Sequence, residues 1–118
     1  MNSRERVLAA IRHEEPDRVP IDLGSTPSSG ISAVAYEALT RHLGLSESKT
    51  RIYDVVQYLA QPEDAVIDAF GVDVLDIGRA FNTNESDWYD IQMPGGRTGQ
   101  YPSWFHPRLH DDGSWNAY

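Results

Sequence analysis

The sequence contains no cysteine, only one lysine and no long apolar run. Zero cysteines in 118 residues exclude disulfide bonds, thiol nucleophiles and cysteine-ligated metal within these residues. The lysine is Lys49, and the formal net charge is −8, so no basic stripe is present for binding nucleic acid. No apolar stretch approaches the roughly 20 residues of a transmembrane helix, and arginines interrupt the first helix where a signal peptide would be apolar. We expect a cytoplasmic protein without nucleic-acid or membrane partners.

The opening residues predict a capped helix followed by a strand. Asn2 can cap the helix, with Glu5 at the third helical position as the second half of a capping box. One apolar stripe is formed by Val7, Leu8 and Ile11. Pro16 ends the helical pattern, and residues 19–23 read as a strand.

The sequence from residue 24 to residue 79 predicts further alternation of helices and strands. Residues 24–30 form a loop from which Ser28 or Ser29 can cap a helix that ends at Gly44. Residues 52–60 are predicted as a short helix, and another helix begins after Pro62 and ends at Gly71. The β-branched run at 72–77 predicts a strand. This order of elements is typical of an α/β fold.

The segment 80–118 loses regular periodicity and gains aromatic side chains, glycine and proline. Short strands and turns are therefore expected, including a hairpin at Asp112-Gly113. Packing is the preferred role for the aromatic side chains, with a ligand platform as the alternative. They are Phe81, Trp88, Tyr89, Tyr101, Trp104, Phe105, Trp115 and Tyr118. The predicted organisation is one domain: residues 1–79 hold its first helices and strands, and residues 80–118 form an irregular, truncated segment.

Three stretches carry a family resemblance: residues 3–24 (SRERVLAAIRHEEPDRVPIDLG), 35–45 (AYEALTRHLGL) and 70–78 (FGVDVLDIG). In order and spacing they resemble the start of the uroporphyrinogen decarboxylase-like superfamily, especially its corrinoid-dependent methyltransferase-like branch. The resemblance implies an α/β fold that is the N-terminal part of a (β/α)8 TIM barrel, with an irregular aromatic-rich β insertion at the C-terminal end of the chain. Such a barrel needs about 250 residues, so we expect the fragment alone to be inactive.

Four positions around the first strand and its loop are candidates for substrate binding: Asp22, Gly24, Ser28 and Ser29. The glycine- and hydroxyl-rich loop can present N–H and O–H groups to an anion, although a simple helix cap explains the same residues. In the second strand, Asp73 and Asp76 are catalytic candidates, since the family resemblance implies a strand-end aspartate that contacts substrate. The alternatives for these aspartates are a turn cap or an ion pair with Arg79.

The resemblance implies methyl transfer from methylcobalamin to a small thiol acceptor, with a corrinoid protein as partner, a possible homodimer, and zinc that activates the thiol. Decarboxylation of uroporphyrinogen is the alternative within the family, but no arginine lies between Arg18 and Arg41 to pair with propionates. A non-catalytic binding module is the alternative outside it. The family's zinc ligands, a histidine and two cysteines, lie later in the chain, so no metal ligand is assigned. A site from His106, His110, Asp111 and Asp112 is disfavoured, because Pro107 prevents the helix it needs.

Overall fold

The computed structural model describes residues 1–80 and 82–117, with the side chains of residues 79 and 80 left out of the description. Three α-helices and seven short strands follow one another in this part of the chain. They are α1 (Ser3–Ile11), β1 (Ile31–Ser32), α2 (Ala33–His42), β2 (Ile52–Asp54), β3 (Leu59–Ala60), α3 (Asp64–Phe70), β4 (Trp88–Gln92), β5 (Thr98–Pro102), β6 (Arg108–Leu109) and β7 (Trp115–Asn116).

The strands form three small antiparallel sheets. One has the order β1-β3-β2, and the other two are the hairpins β4-β5 and β6-β7. Parallel pairing within the described residues is limited to two isolated bridges, Asp22 with Val74 and Arg51 with Gln100. The fold is mixed α/β, and the prediction of a TIM-barrel portion is wrong. A barrel needs long parallel strands joined by crossover helices, whereas most strands here are two or three residues long and pair antiparallel.

Two predicted strands, at residues 19–23 and 72–77, form no regular ladder in the structure, and their backbones are joined only by isolated contacts. The two segments meet at the Asp22–Val74 bridge, and the Asp73 amide donates to the Ile21 carbonyl at 2.8 Å. Pro20 has no N–H to donate, which shortens any ladder on the first segment. Both segments are extended chain, and they lie side by side.

The segment 52–60, predicted as a helix, is a hairpin of β2 and β3. Its turn is built by the Asp54 carboxylate, which accepts from the amides of Val56 at 3.0 Å and Gln57 at 2.8 Å. An aspartate that bonds its own backbone in this way favours a turn over a helix. Tyr58 completes the reversal with a left-handed φ of 60°.

Several end signals in the sequence are confirmed. The capping box of α1 is present, with Asn2 and Glu5 bonded to each other's amides at 2.9 Å. Gly44 and Gly71 follow α2 and α3 with positive φ, and the hairpin at Asp112-Gly113 forms between β6 and β7. The cap of α2 is Ser32 rather than Ser28 or Ser29, because a 3-10 turn (Pro27–Ser29) and β1 intervene.

The core lies between α2, the three-stranded sheet, α3 and the β4–β5 hairpin. Its buried members are Ala33, Tyr36, Ile52, Ala60, Val66 and Met93. Helix α1 lies outside this cluster. The predicted apolar stripe on α1 is wrong in part: Ile11 is 68% exposed, and the buried residues of the helix are Arg6 and Ala9. The longest helix in the described part, α2, has 10 residues, and no helix there could span a membrane.

Candidate functional site

A small polar cavity lies where the two extended segments meet the β2–β3 hairpin. Its volume is about 190 Å³. We call it the Asp76 pocket, and its described lining residues are Gly24, Tyr53, Gln61, Asp76, Gly78, Asn82 and Trp88. Two residues singled out in the sequence, Gly24 and Asp76, therefore line one cavity although 52 positions separate them.

Gly24 occupies its place because no other residue fits. Its φ is 83°, in the left-handed region that favours glycine. A β-carbon at this position would lie 2.8 Å from the Pro62 side chain, closer than real β-carbons approach. Gly24 thus lets the loop after Asp22 pass tightly against the start of the α3 segment, which closes one side of the pocket.

Asp76 turns its carboxylate back onto its own loop. Its Oδ1 atom accepts from the Gly78 amide at 2.7 Å. A β-carbon on Gly78 would lie 3.1 Å from both carboxylate oxygens, so the glycine makes room for this geometry. One oxygen is held by the backbone, and the carboxylate can accept a further hydrogen bond because each oxygen has two lone pairs.

Tyr53 is the residue that sequence reasoning missed. Its hydroxyl oxygen is buried and has no hydrogen-bond partner among the described residues. Burial, followed by the negative charges of Asp54 and Asp76, raises the pKa of Tyr53 above its usual value. The hydroxyl is therefore a protonated donor near an aspartate acceptor. The helix prediction for residues 52–60 is the reason that Tyr53 was overlooked. In a strand, side chains alternate between the two faces, so Tyr53 lies on the opposite face of β2 from Ile52 and Asp54.

Trp88 gives the pocket a fixed aromatic wall. It is 6% exposed, and its indole Nε1 donates to the Asn82 carbonyl at 2.9 Å. The Arg51 guanidinium lies 5.3 Å from the centre of its ring, a cation–π distance. The indole N–H has its hydrogen-bond partner and the ring has a cation beside it, so Trp88 packs and shapes the cavity.

Asp22 faces its own loop. Its carboxylate accepts from the Ser25 amide at 3.0 Å and the Ser25 hydroxyl at 2.6 Å. Burial acts to raise the pKa of Asp22, but hydrogen bonds from Ser25 and Ser29 outweigh it and lower that pKa. Ser29 also bonds the Thr26 carbonyl at 3.2 Å, and Ser28 is exposed. Neither serine lines the Asp76 pocket, and the substrate-binding roles of these three residues stay predictions.

Asp73 belongs to an ion-pair cluster instead of the pocket. Its side chain is fully buried and pairs with Arg6 at 2.5 Å and Arg18 at 2.7 Å. The Ile21 amide donates to the same carboxylate at 2.9 Å. Burial alone would raise the pKa of Asp73, but these hydrogen bonds hold it well below its usual range. With these partners Asp73 ties α1 to two extended segments, and its catalytic role stays a prediction.

Of the four residues weighed for a metal site near the end of the chain, His106 and Asp112 serve local structure, and the Nε2 atom of His110 is buried without a hydrogen-bond partner among the described residues. His106 stacks on Tyr89 with ring centres 5.1 Å apart. Asp112 accepts from the Ser114 hydroxyl at 2.6 Å, which lowers the pKa of Asp112 and closes the last hairpin. Among residues 1–80 and 82–117, no three histidine, aspartate or glutamate side chains are grouped so that they could hold a metal ion. The aromatic predictions for Phe81 and Tyr118 lie outside the described residues.

Comparisons with known proteins add no relative to this geometry. No family model matches the chain, and neither a curated protein nor a solved structure is significantly similar to it.

Proposed function

We propose that this chain is the amino-terminal part of a uroporphyrinogen decarboxylase-like enzyme, and that the Asp76 pocket binds a polar group of its substrate. The observation that carries the proposal is the convergence of Gly24 and Asp76, from two of the resembling stretches, on one cavity beside the buried Tyr53 hydroxyl. These groups come from three separate segments of the chain.

The chemistry of the pocket is that of a paired donor and acceptor. Leaving a buried hydroxyl without a partner costs about 1–3 kcal/mol, so Tyr53 gains from a bound molecule that offers an acceptor. Asp76 accepts a hydrogen bond from a donor group on the same molecule. The Tyr53 hydroxyl oxygen is buried, so a hydrogen bond from it is stronger than in solution, and together the two interactions orient one end of a substrate.

The expected reaction is methyl transfer from methylcobalamin to a small thiol acceptor. Two observations favour it over decarboxylation of a porphyrinogen, the second candidate. The described lining of the pocket includes no basic side chain, and the Asp76 carboxylate repels a substrate that carries several carboxylates. In addition, about 190 Å³ is below the 300–1,000 Å³ usual for small-molecule sites, so the pocket suits one end of a substrate and not a whole tetrapyrrole.

The described residues do not form a site that could bind zinc. The chain has no cysteine, and its described part holds no suitable group of histidine and acidic side chains. No step is assigned to zinc here, and in the proposed enzyme its ligands come from a later part of the protein. A corrinoid protein as partner, a homodimer and a cytoplasmic location belong to the same proposal.

The test uses the protein encoded by the complete reading frame around this sequence. Methyl transfer is followed as the thiol-dependent change in methylcobalamin absorbance. Loss of one hydrogen bond to a charged group, about 1.5–3 kcal/mol, predicts a rate roughly 10- to 150-fold lower for Asp76→Asn. The matched control is Asp68→Asn, an exposed carboxylate on α3 outside the pocket lining, which should keep the rate within about twofold.

Three results would contradict the proposal in different ways. Release of CO₂ from uroporphyrinogen without methyl transfer would assign the decarboxylase activity. Equal rates for Asp76→Asn and the wild type would remove the pocket from the mechanism. A protein with neither activity would favour the non-catalytic binding module.

A further inference from the structure

A second cavity opens beside the β4–β5 hairpin and the chain's last hairpin. It has a volume of about 750 Å³ and shares no described lining residue with the Asp76 pocket. We call it the aromatic cleft. The lining residues that matter for its chemistry are Tyr58, Gln92, Tyr101, Phe105, Trp115 and Asn116.

The rings of the cleft hold one another in fixed positions. Tyr101 meets Tyr58 edge to face, with ring centres 6.3 Å apart and planes at 83°. It meets Phe105 in the same way, at 5.0 Å and 87°. The Tyr89 hydroxyl donates to the Phe105 carbonyl at 2.6 Å and fixes the loop that carries this ring. Edge-to-face pairs are the favoured aromatic geometry, so this wall is preorganised.

Tyr58 reaches the cleft through a strained backbone. Its φ of 60° places a bulky residue in the left-handed region, which costs about 1–2 kcal/mol. Its carbonyl is held by the Ala33 amide at 2.9 Å. Strain of this kind persists where the surrounding structure enforces it, and it concentrates at binding sites.

The polar groups of the cleft are uncharged. None of its described lining residues has a charged side chain. Burial raises the pKa of Tyr58 and raises that of Tyr101 to about 12, so both phenols stay protonated near neutral pH. Gln92 and Asn116 add amide donors and acceptors. A charged molecule entering the cleft would lose hydration without meeting a counter-ion.

We propose that the aromatic cleft binds an uncharged, planar heteroaromatic molecule that carries carbonyl or ring-nitrogen acceptors. The rings supply flat apolar contact, and the phenols and amides meet the acceptors. A volume of about 750 Å³ lies within the 300–1,000 Å³ range of small-molecule sites. The site is independent of the Asp76 pocket and of the enzyme proposed above.

The experiment titrates the 118-residue chain with lumichrome, an uncharged three-ring heteroaromatic with two carbonyl groups, and measures binding by equilibrium dialysis. Saturable binding of one molecule per chain is expected. Trp115→Ala should weaken it at least about tenfold, which is 1.4 kcal/mol. The control is Phe70→Ala, since Phe70 is an exposed aromatic residue on α3 outside the lining, and the affinity of this variant should stay within about twofold of the wild type.

A second variant guards against misfolding of the first. Tyr58→Phe keeps the ring and removes one donor, and it should weaken lumichrome binding about three- to tenfold. Absence of saturable binding to the wild type would overturn the proposal, and so would equal losses of affinity in the Trp115 and Phe70 variants. Tighter binding of anionic 9-anthracenecarboxylate would overturn the neutral preference. A dimer that Trp115→Ala abolishes, without bound lumichrome, would assign the cleft to a second copy of the chain.

Discussion

Replacing Tyr36 by phenylalanine removes the hydroxyl group that joins α2 to the start of α3. This side chain is completely buried. Its hydroxyl donates to the Glu63 carboxylate at 2.9 Å and accepts from the Glu63 amide at 2.9 Å. Burial raises the pKa of Tyr36, so the hydroxyl remains a donor across the neutral range. Ser48 and the Lys49 amide bond the same carboxylate, which makes Glu63 the meeting point of three segments.

The expected loss follows from counting the two bonds. The bond to the carboxylate contributes about 1.5–3 kcal/mol and the neutral bond about 0.5–1.5 kcal/mol. Because Ser48 and Lys49 continue to hold the carboxylate, we expect Tyr36→Phe to lower the free energy of unfolding by about 2–4 kcal/mol. For a chain of this size that is a fall in Tm of roughly 8–16 °C, from an unfolding entropy of about 2.1 cal/mol/K per residue.

The assay is thermal unfolding followed by circular dichroism, with urea unfolding as a check. The matched control is Tyr89→Phe, which removes one neutral bond to the Phe105 carbonyl and should cost about 0.5–1.5 kcal/mol. A Tm for Tyr36→Phe within about 2 °C of the wild type would be a far smaller fall than expected. That result would show that the hydrogen bonds of Tyr36 to Glu63 do not stabilise the fold, and it would refute the reasoning.

Three further predictions concern acid, a glycine and an exposed apolar residue. Against burial, hydrogen bonds lower the pKa of Asp17, chiefly through Arg6, and that of Asp73, first through the Ile21 amide and then through Arg18 and Arg6. The unfolded state therefore binds more protons in acid. The contribution of these carboxylates to the free energy of unfolding should therefore be full above about pH 4 and fall below it. Urea unfolding midpoints measured against pH should fall less in Asp73→Asn than in the wild type, and an unchanged pH profile in the variant would contradict the ion-pair assignment. Gly24→Ala should lower the free energy of unfolding by about 1–3 kcal/mol. The loss should exceed that of Gly113→Ala, because Gly113 has a similar φ of 81° but open space around it. Equal unfolding midpoints for the two variants would show that the close approach of Gly24 to Pro62 costs nothing. Ile77→Lys should reduce self-association in light scattering, because Ile77 is 94% exposed and apolar; unchanged association would exclude this surface.

Local signals in the sequence predicted the ends of elements well. The capping box at Asn2 and the stops at Gly44 and Gly71 depend on hydrogen bonds and φ angles within a few residues, and all three are confirmed. The interior of elements depends on distant contacts, which a single sequence does not display. Residues 52–60 show this, since the Asp54 turn and pairing with β1 override a helical pattern.

The candidate site was predictable in part for the same reason. The glycine- and hydroxyl-rich loop makes Gly24 a candidate, an acidic residue in an apolar strand makes Asp76 one, and the structure brings both to one cavity. Asp73 has equally unusual chemistry, but its partners Arg6 and Arg18 lie more than 50 positions away. Nothing local distinguishes a carboxylate that pairs with distant arginines from one that faces a cavity. Tyr53 was missed because its helix prediction was wrong.

Helix α1 is attached to the rest of the protein mainly through one arginine. Arg6 reaches Asp17 and Asp73, while Ala9 is the helix's one buried apolar residue in the described structure. Buried ion pairs of this kind contribute little stability until all the charged partners are in place, since an unpaired buried charge is unfavourable. Residues 1–18 should therefore dock late in folding, after residues 71–73 are ordered, and their amide hydrogens should exchange with solvent before those of α2.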